Sequence, residues 1–260
     1  MIKIRKYGLI GYPLSHTFSP KYFAAKYEKE GIVDAQYKAY PLASIEDVKQ
    51  LIDDDLDGFN VTIPYKEQIL PYLDYISEEA NAIGAVNTVK IVEGKLTGYN
   101  TDAYGLENGL YALLDGACVD GALVLGTGGA AKACSYVLQQ MGIACTLISR
   151  KAPYMTYDQL TKEVMARHKL IINTTPLGMS PKVDACPDIP YDLLDESYFV
   201  FDLLYNPKKT LFLKRAEEKG ASIMNGLSML HDQADKSWEI WNEEENNTQI
   251  EITKSTNDRP

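Results

Sequence analysis

An apolar run from Ala122 leads into Gly126, Thr127, Gly128, Gly129, Ala130 and Ala131, so a buried strand enters a G-x-G-x-x-A turn that opens a helix. This order of strand, turn and helix suits a dinucleotide. The first glycine permits the tight turn and the second lets backbone approach a pyrophosphate. Small Ala131 lets helix and strand pack closely while the helix N-terminus faces the phosphates. A second strand, Ala144 to Ile148, ends in Ser149-Arg150-Lys151, where an acid would hold the ribose 2′-hydroxyl of NAD. A guanidinium there pairs instead with a 2′-phosphate, so Arg150 points to NADP. The plainer reading of Arg150 and Lys151 is a solvated strand end.

Three upstream segments carry further candidates. Thr17 and Ser19 place two hydroxyls around a helix start, where backbone N–H groups and the helix dipole favour a carboxylate. Simple N-capping by Ser19 explains that segment equally well. Lys66 closes the segment N-V-T-I-P-Y-K at residues 60 to 66, just beyond a strand, and Asp102 closes G-Y-N-T-D at residues 98 to 102. Open α/β sheets hold ligands at strand ends, although a lysine taken alone is more often a solvated surface residue.

The elements that must position these residues follow from periodicity and turn chemistry. Tyr7 to Gly11 reads as a strand, and Ser19-Pro20 as the N-cap and first-turn proline of a helix ended by Gly31. Gln36 to Tyr40 is a second strand, Ser44 to Ile52 a helix and Gly58 to Ile63 a third strand, an alternation that implies a parallel sheet. Two short helical stretches then lead to a hairpin from Val86 to Asn100 that turns at Glu93-Gly94-Lys95. After a helix from Asp102 to Leu114 the strand–helix pattern restarts at Ala122. It continues with strands at Leu170 to Asn173 and Tyr198 to Leu203, and a helix from Thr210 to Lys219. A last helix begins after Gly226, and its Leu227, Leu230, Ala234, Trp238 and Trp241 mark one buried face. Ile250 and Ile252 suit a short strand in an otherwise polar tail.

Bulk properties narrow the partners. The 260 residues are 45 % hydrophobic and 24 % charged, values of an ordinary globular protein with one large or two modest domains. The net charge of −10 disfavours nucleic acid, and about half of it lies from Asp232 onward, where eight acids face three bases. No apolar stretch approaches the ~20 residues of a membrane helix. Cys118, Cys134, Cys145 and Cys186 lack C-x-x-C spacing, and the start lacks a signal-peptide pattern, so reduced thiols and a cytoplasmic setting are expected. His16, His168 and His231 are too scattered to suggest a metal site.

Taken together, the motifs resemble those of the shikimate dehydrogenase family. Its G-x-P-x-x-H-S-x-S-P, N-V-T-x-P-x-K, G-A-V-N-T and N-T-D segments correspond to residues 11 to 20, 60 to 66, 84 to 88 and 100 to 102. The likeness continues through Gly126 to Ala131, N-T-T-P-L-G-M at 173 to 179, D-L-L-Y-N-P at 202 to 207 with Thr210, and G-L-S-M-L-H-D-Q-A at 226 to 234. It implies an α/β fold of two domains: an N-terminal open α/β substrate domain and a Rossmann-type NADP-binding domain, with a cleft between them. Residues 1–103 would form the substrate domain, completed by helix 227–242. Residues 104–226 would bind NADP, and 243–260 would be a mobile polar tail.

The resemblance further implies NADPH-dependent, reversible reduction of 3-dehydroshikimate to shikimate in chorismate and aromatic amino acid biosynthesis. Lys66 and Asp102 would be the catalytic pair, the lysine stabilising the alkoxide charge and moving the proton. Thr17 and Ser19 would hold the substrate carboxylate, with Thr62, Asn87, Asp102, Tyr205 and Gln233 around the ring hydroxyls. Gly126, Thr127, Gly128, Gly129, Ala130, Ser149, Arg150, Lys151, Leu203 and Gly226 would line the cofactor. No metal, nucleic acid or membrane is implied, and the chain would act as a monomer or homodimer.

Three segments depart from the family pattern. Thr17 replaces a serine, Ser149-Arg150-Lys151 replaces N-R-T, and Thr127 stands where alanine is common. The added methyl at Thr17 bears on the choice between shikimate and quinate, and NADP preference rests mainly on Arg150. A quinate or dual quinate/shikimate dehydrogenase using NAD is therefore the nearest alternative. A non-catalytic metabolite sensor would have little reason to keep Lys66 and Asp102 together. A folate-interconverting dehydrogenase of similar build would have no evident task for the Thr17 and Ser19 hydroxyls.

Overall fold

Two sheets, each with its own hydrophobic core, organise the chain. The computed structural model describes residues 3–14, 17–53, 55–243 and 253–254. In chain order the first elements are β1 (Arg5–Gly11), α1 (Ser19–Glu30), β2 (Ala35–Pro41), α2 (Val48–Asp53), β3 (Gly58–Val61), β4 (Tyr75–Ile76), α3 (Glu78–Ile83), β5 (Thr88–Val92) and β6 (Lys95–Tyr99). Next come α4 (Thr101–Leu114), β7 (Gly121–Leu125), α5 (Gly129–Gln140), β8 (Ala144–Ser149), β9 (Met155–Thr156), α6 (Lys162–Arg167) and β10 (Leu170–Asn173). The last are β11 (Phe199–Asp202), α7 (Leu211–Glu217), β12 (Ser222–Asn225), α8 (Leu227–Asn242) and β13 (Thr253–Lys254). The chain divides into two compact units, residues 1–101 with 234–260 and residues 102–233.

The first unit holds a 7-stranded sheet in the order β13-β4-β6-β5-β3-β1-β2. β1 pairs in parallel with both β2 and β3, as the strand–helix alternation implies. The sheet as a whole is mixed rather than parallel. β5 and β6 form a hairpin, whose short turn must reverse direction, and β5 docks antiparallel on β3. β3 ends at Val61, where its ladder with β1 ends, and Ile63 is exposed rather than part of the strand. The expected helix from Ser44 splits into a 3-10 turn at Ile45–Asp47 and the short α2, with Ser44 and Asp47 forming a capping box.

The C-terminal part of α8 packs into this unit through an aromatic cluster. Trp241 stacks on Tyr7 with centroids 4.5 Å apart, and its indole N–H donates to the Val89 carbonyl at 2.9 Å. Trp238 meets Tyr7 edge-on, and Phe23 and Tyr27 of α1 complete the cluster with Ala234. The apolar face read from the sequence is thus buried at Ala234 and Trp241, with Trp238 half-buried against them. β13 pairs antiparallel with β4. The strand expected at Ile250 and Ile252 lies outside the described residues.

The second unit is a 6-stranded, wholly parallel sheet in the order β12-β11-β10-β7-β8-β9. Counted from β7 as its first strand, this is the doubly wound order in which the chain starts at the centre, winds to one edge and returns to build the other. The order reverses between β7 and β10, where such sheets open a crevice at their carboxyl ends. Leu123, Ile171, Val200 and Phe212 are buried in its core. β9 and β12 escaped the sequence reading because one has only two residues and the other, S-I-M-N, carries polar residues at both ends. Among the described residues no helix is long and apolar enough to cross a membrane.

Candidate active site

Ser19 is not the N-cap of α1. The helix begins at Ser19 itself, Phe18 occupies the cap position without a side-chain bond, and Pro20 lies in the first turn. Ser19 is buried, and its hydroxyl opposes the rise that burial imposes on the Tyr37 phenol. Tyr37 donates to Asn60 Oδ1 at 2.8 Å, and the Asn60 amide nitrogen reaches the Asn87 carbonyl at 3.2 Å, Thr88 Oγ1 at 3.0 Å and Ser237 Oγ at 2.9 Å. Ser237 in turn meets Thr88 Oγ1 at 2.8 Å and Thr101 Oγ1 at 3.2 Å. Asn60, Asn87, Thr88, Thr101 and Ser237 are all buried, so this is a polar network inside the first unit whose members satisfy one another.

Asn87 sits at its centre. Its Oδ1 accepts the Thr101 backbone N–H at 2.7 Å, and its Nδ2 donates to Thr101 Oγ1 at 3.0 Å, which fixes the amide orientation. Lys66 is tied to the same strand end, because its carbonyl accepts the Val86 N–H at 2.8 Å. Thr62 bonds through its N–H to the Ile10 carbonyl at 2.9 Å. Thr17, Thr62 and Lys66 are half-buried. The first unit therefore gathers Ser19, Asn87 and the Lys66 backbone around the carboxyl ends of β1 and β3 and the start of β5. Asp102 is half-buried in the first turn of α4, where the helix dipole favours a carboxylate.

In the second unit, Gly126 ends β7 with φ of 120°, a conformation open to glycine, and a Cβ there would collide with the Thr174 hydroxyl. Gly128 is the N-cap of α5 and offers no side-chain cap, so the first-turn N–H groups are left for a ligand. A Cβ on Gly128 would meet nothing within 4 Å. The turn lies at the reversal point of the sheet, with Thr127, Gly128 and Ala130 exposed and Gly129 half-buried. Residues of this kind fit a dinucleotide pyrophosphate. Arg150 and Lys151 are exposed beyond β8, the Lys151 N–H donating to Ser149 Oγ at 3.4 Å. Burial pushes the Tyr157 phenol up, and the Arg150 charge opposes that rise.

Leu203 and Gly226 come together at the ends of β11 and β12. A Cβ on Gly226 would fall inside the Leu203 carbonyl, so only glycine allows that approach. Asp202, fully buried before this loop, accepts from the Thr210 hydroxyl, from Asn173 Nδ2 at 3.0 Å and from the Leu204 N–H at 3.1 Å. Burial nonetheless raises its carboxyl to about 6. Tyr205 is half-buried on the loop that Asp202 anchors. Gln233 is buried on α8 and its amide donates to Leu230 O at 2.9 Å. Among the described residues no group of three His, Cys, Asp or Glu is placed to hold a metal ion.

Tyr37, Asn60, Thr88, Thr101, Asp202 and Ser237 were not assigned to any site from the sequence. Asn60, Thr88 and Thr101 stand within the N-V-T, V-N-T and N-T-D segments, and a polar residue inside a buried strand is the signal that marks Asn60. Ser237 gave none, because serine in a charged helix reads as surface.

The profile of the shikimate dehydrogenase substrate binding domain matches residues 9–89. The chain is 39 % identical over 259 residues to the shikimate dehydrogenase (NADP(+)) of Clostridium beijerinckii, covering 91 % of this chain and 92 % of the relative. The structure of shikimate dehydrogenase from Aquifex aeolicus superposes with a TM-score of 0.82 at 34 % identity, covering 95 % of this chain and 96 % of that one. Shikimate 5-dehydrogenase from Thermus thermophilus in complex with NADP(H) and shikimate gives a TM-score of 0.79 at 32 % identity, covering 92 % and 94 % of the two chains.

Proposed function

The chain belongs to the shikimate dehydrogenase family, and we propose that it is an NADP-dependent oxidoreductase that reduces 3-dehydroshikimate to shikimate, reversibly. What carries this reading is likeness along the whole chain to shikimate dehydrogenases, joined to a glycine turn at a sheet reversal point and a buried cluster suited to hydroxyls. The product feeds aromatic amino acid biosynthesis.

Residues 1–103 with the C-terminal helix 227–242 serve as the substrate domain, and 104–226 as the NADP-binding domain. Thr17 and Ser19 hold the substrate carboxylate at the start of α1. Thr62, Asn87, Asp102, Tyr205 and Gln233 meet the ring and its hydroxyls, and a site built to pair hydroxyls rejects analogues that lack them. The turn from Gly126 to Ala130 with the N–H groups of α5 takes the pyrophosphate, Leu203 and Gly226 flank the cofactor, and Ser149, Arg150 and Lys151 face the 2′-phosphate. NADPH, when bound, supplies the hydride. Lys66 then stabilises the negative charge that develops on the carbonyl oxygen and delivers the proton, with Asp102 as its partner on the substrate.

Four free cysteines support a reducing, cytoplasmic setting. A monomer or homodimer suffices for the reaction as described. Initial rates with shikimate and quinate, each with NADP and NAD, test the assignment: shikimate with NADP is expected to be the best pair, and a preference for quinate with NAD would overturn it. Lys66→Ala is expected to lower kcat by about 10²- to 10⁴-fold with NADPH affinity unchanged; unchanged turnover would remove Lys66 from the mechanism.

A further inference from the structure

Ser237 stands on the face of α8 that also carries Ala234, Trp238 and Trp241. Its side chain is fully buried, where a hydroxyl is costly unless it is hydrogen-bonded. Its oxygen lies 2.8 Å from Thr88 Oγ1, 3.2 Å from Thr101 Oγ1 and 2.9 Å from the Asn60 amide nitrogen. The same two threonines hold Asn87. Thr88 Oγ1 donates to Asn87 Oδ1 at 3.2 Å, and Asn87 Nδ2 donates to Thr101 Oγ1 at 3.0 Å. These contacts close a circuit that runs from Asn87 to Thr101, Ser237 and Thr88 and back to Asn87, with Ser237 opposite the amide. Each hydroxyl has one proton to give. With the Thr88 proton on Asn87 Oδ1, Ser237 gives its own to Thr88, and Thr101 gives its own to Ser237. The Thr101 oxygen then keeps its lone pairs for Asn87 Nδ2.

We propose that Ser237 is a positioning residue for substrate binding: it closes the circuit that sets the Asn87 amide and so holds the second Nδ2 hydrogen of Asn87 towards a substrate hydroxyl. Without the Ser237 oxygen, the Thr101 proton turns to Asn87 Oδ1, which lies equally close at 3.2 Å. The hydroxyl that accepts from the amide then also competes to donate to it. Bonds in a closed circuit polarise one another, so opening it weakens those that remain. The Thr101 backbone N–H, 2.7 Å from Oδ1, still fixes which end of the amide faces α4, so Asn87 loses alignment without turning over. Ser237 is fully buried and acts through Asn87. This inference rests on the assignment of Asn87 to the substrate hydroxyls.

The test is steady-state oxidation of shikimate with NADP by the full chain and its S237A, S237C, N87A and S237A/N87A variants. Interactions made equally in the ground and transition states appear in KM with kcat held. S237A is expected to raise the KM for shikimate by about 3- to 10-fold, with kcat and the KM for NADP within about 2-fold of wild type. A serine that served only the fold would lower the amount of active enzyme and leave the KM for shikimate unchanged. N87A is expected to raise that KM by about 10-fold or more, and in its background S237A should add less than about 2-fold, because the amide that Ser237 aligns is gone. A wild-type KM for shikimate in S237A, the same fold-rise in both backgrounds, or an equal rise in the KM for NADP overturns the proposal. If S237A does not fold, S237C decides, since it keeps nearly the same shape with a weak donor and acceptor: a raised KM for shikimate alone supports the proposal and a wild-type KM overturns it. A wild-type KM in N87A would instead remove Asn87 from the substrate, overturning that assignment along with the proposal.

Discussion

Thr101 gives its backbone N–H to Asn87 Oδ1 at 2.7 Å, and Asn87 returns a bond from Nδ2 to the Thr101 hydroxyl at 3.0 Å. The first residue of α4 and the residue before β5 thereby lock each other across the first unit. Oδ1 also has the Thr88 and Thr101 hydroxyls at 3.2 Å, so its accepting capacity is filled from within the protein. What Asn87 can offer a substrate is its second amide hydrogen.

Asn87→Asp removes that donor while keeping the shape. The KM for shikimate is expected to rise by about 10-fold or more, since a carboxylate meets a substrate hydroxyl without an N–H to give and loses its bond to Thr101 Oγ1. Thermal unfolding should show a loss of about 1–3 kcal/mol from the unsatisfied, buried charge. Wild-type KM in a correctly folded variant would place Asn87 outside the substrate's reach.

Arg150→Ala tests the phosphate contact. Hydrogen bonds to charged groups are worth about 1.5–3 kcal/mol, so the KM for NADP is expected to rise about 10- to 100-fold while that for NAD stays within about 2-fold. An equal loss with both cofactors would mean that Arg150 contacts something common to them. Raised salt should weaken NADP binding more than NAD binding in the wild-type chain, because Arg150 is exposed.

Two glycines separate a ligand's need from the fold's need. Gly128→Ala adds a methyl where nothing lies within 4 Å, so the melting temperature should be unchanged while NADP affinity falls about 10-fold or more if backbone there approaches the pyrophosphate. Gly226→Ala drives a methyl into the Leu203 carbonyl, so it should lower stability by about 1–3 kcal/mol as well as NADP affinity. A Gly128→Ala chain with normal NADP binding would move the pyrophosphate away from the turn.

These contrasts follow how much of the molecule could be read in advance. The glycine turn, β7, α5 and β8 are local, and their order alone specifies them. The mixed character of the first sheet was missed because a hairpin can be read from its turn, whereas the strand it docks against cannot. Ser19 was misread as a cap because serine before proline satisfies capping chemistry, whereas the helix already begins at Ser19 and Phe18 takes the cap position. The Asn60–Ser237 bond spans 177 residues, a separation that no periodicity encodes. Buried polar pairings of this kind are decided by tertiary placement, and the residues that position Asn87 became visible only with it.

Asp202 supplies a pH dependence opposite to the usual loss of stability in acid. Its carboxyl is raised from 3.8 to about 6, chiefly by burial, against the opposing bonds from Thr210, Leu204 and Asn173. Below 3.8 the group is protonated in both the folded and unfolded chains and costs nothing. Between 3.8 and about 6 the unfolded chain releases the proton and the folded chain retains it, so stability falls as pH rises; above about 6 the full penalty, roughly 3 kcal/mol, is present. Asp202→Asn removes the titration while the amide oxygen still accepts from Asn173 and Leu204. Urea midpoints at pH 5 and pH 7 should show the wild-type chain losing roughly 1 kcal/mol more than the variant over that interval. Parallel slopes in the two chains would mean that Asp202 ionises in the fold as freely as in the unfolded chain, and that its three donors balance its burial.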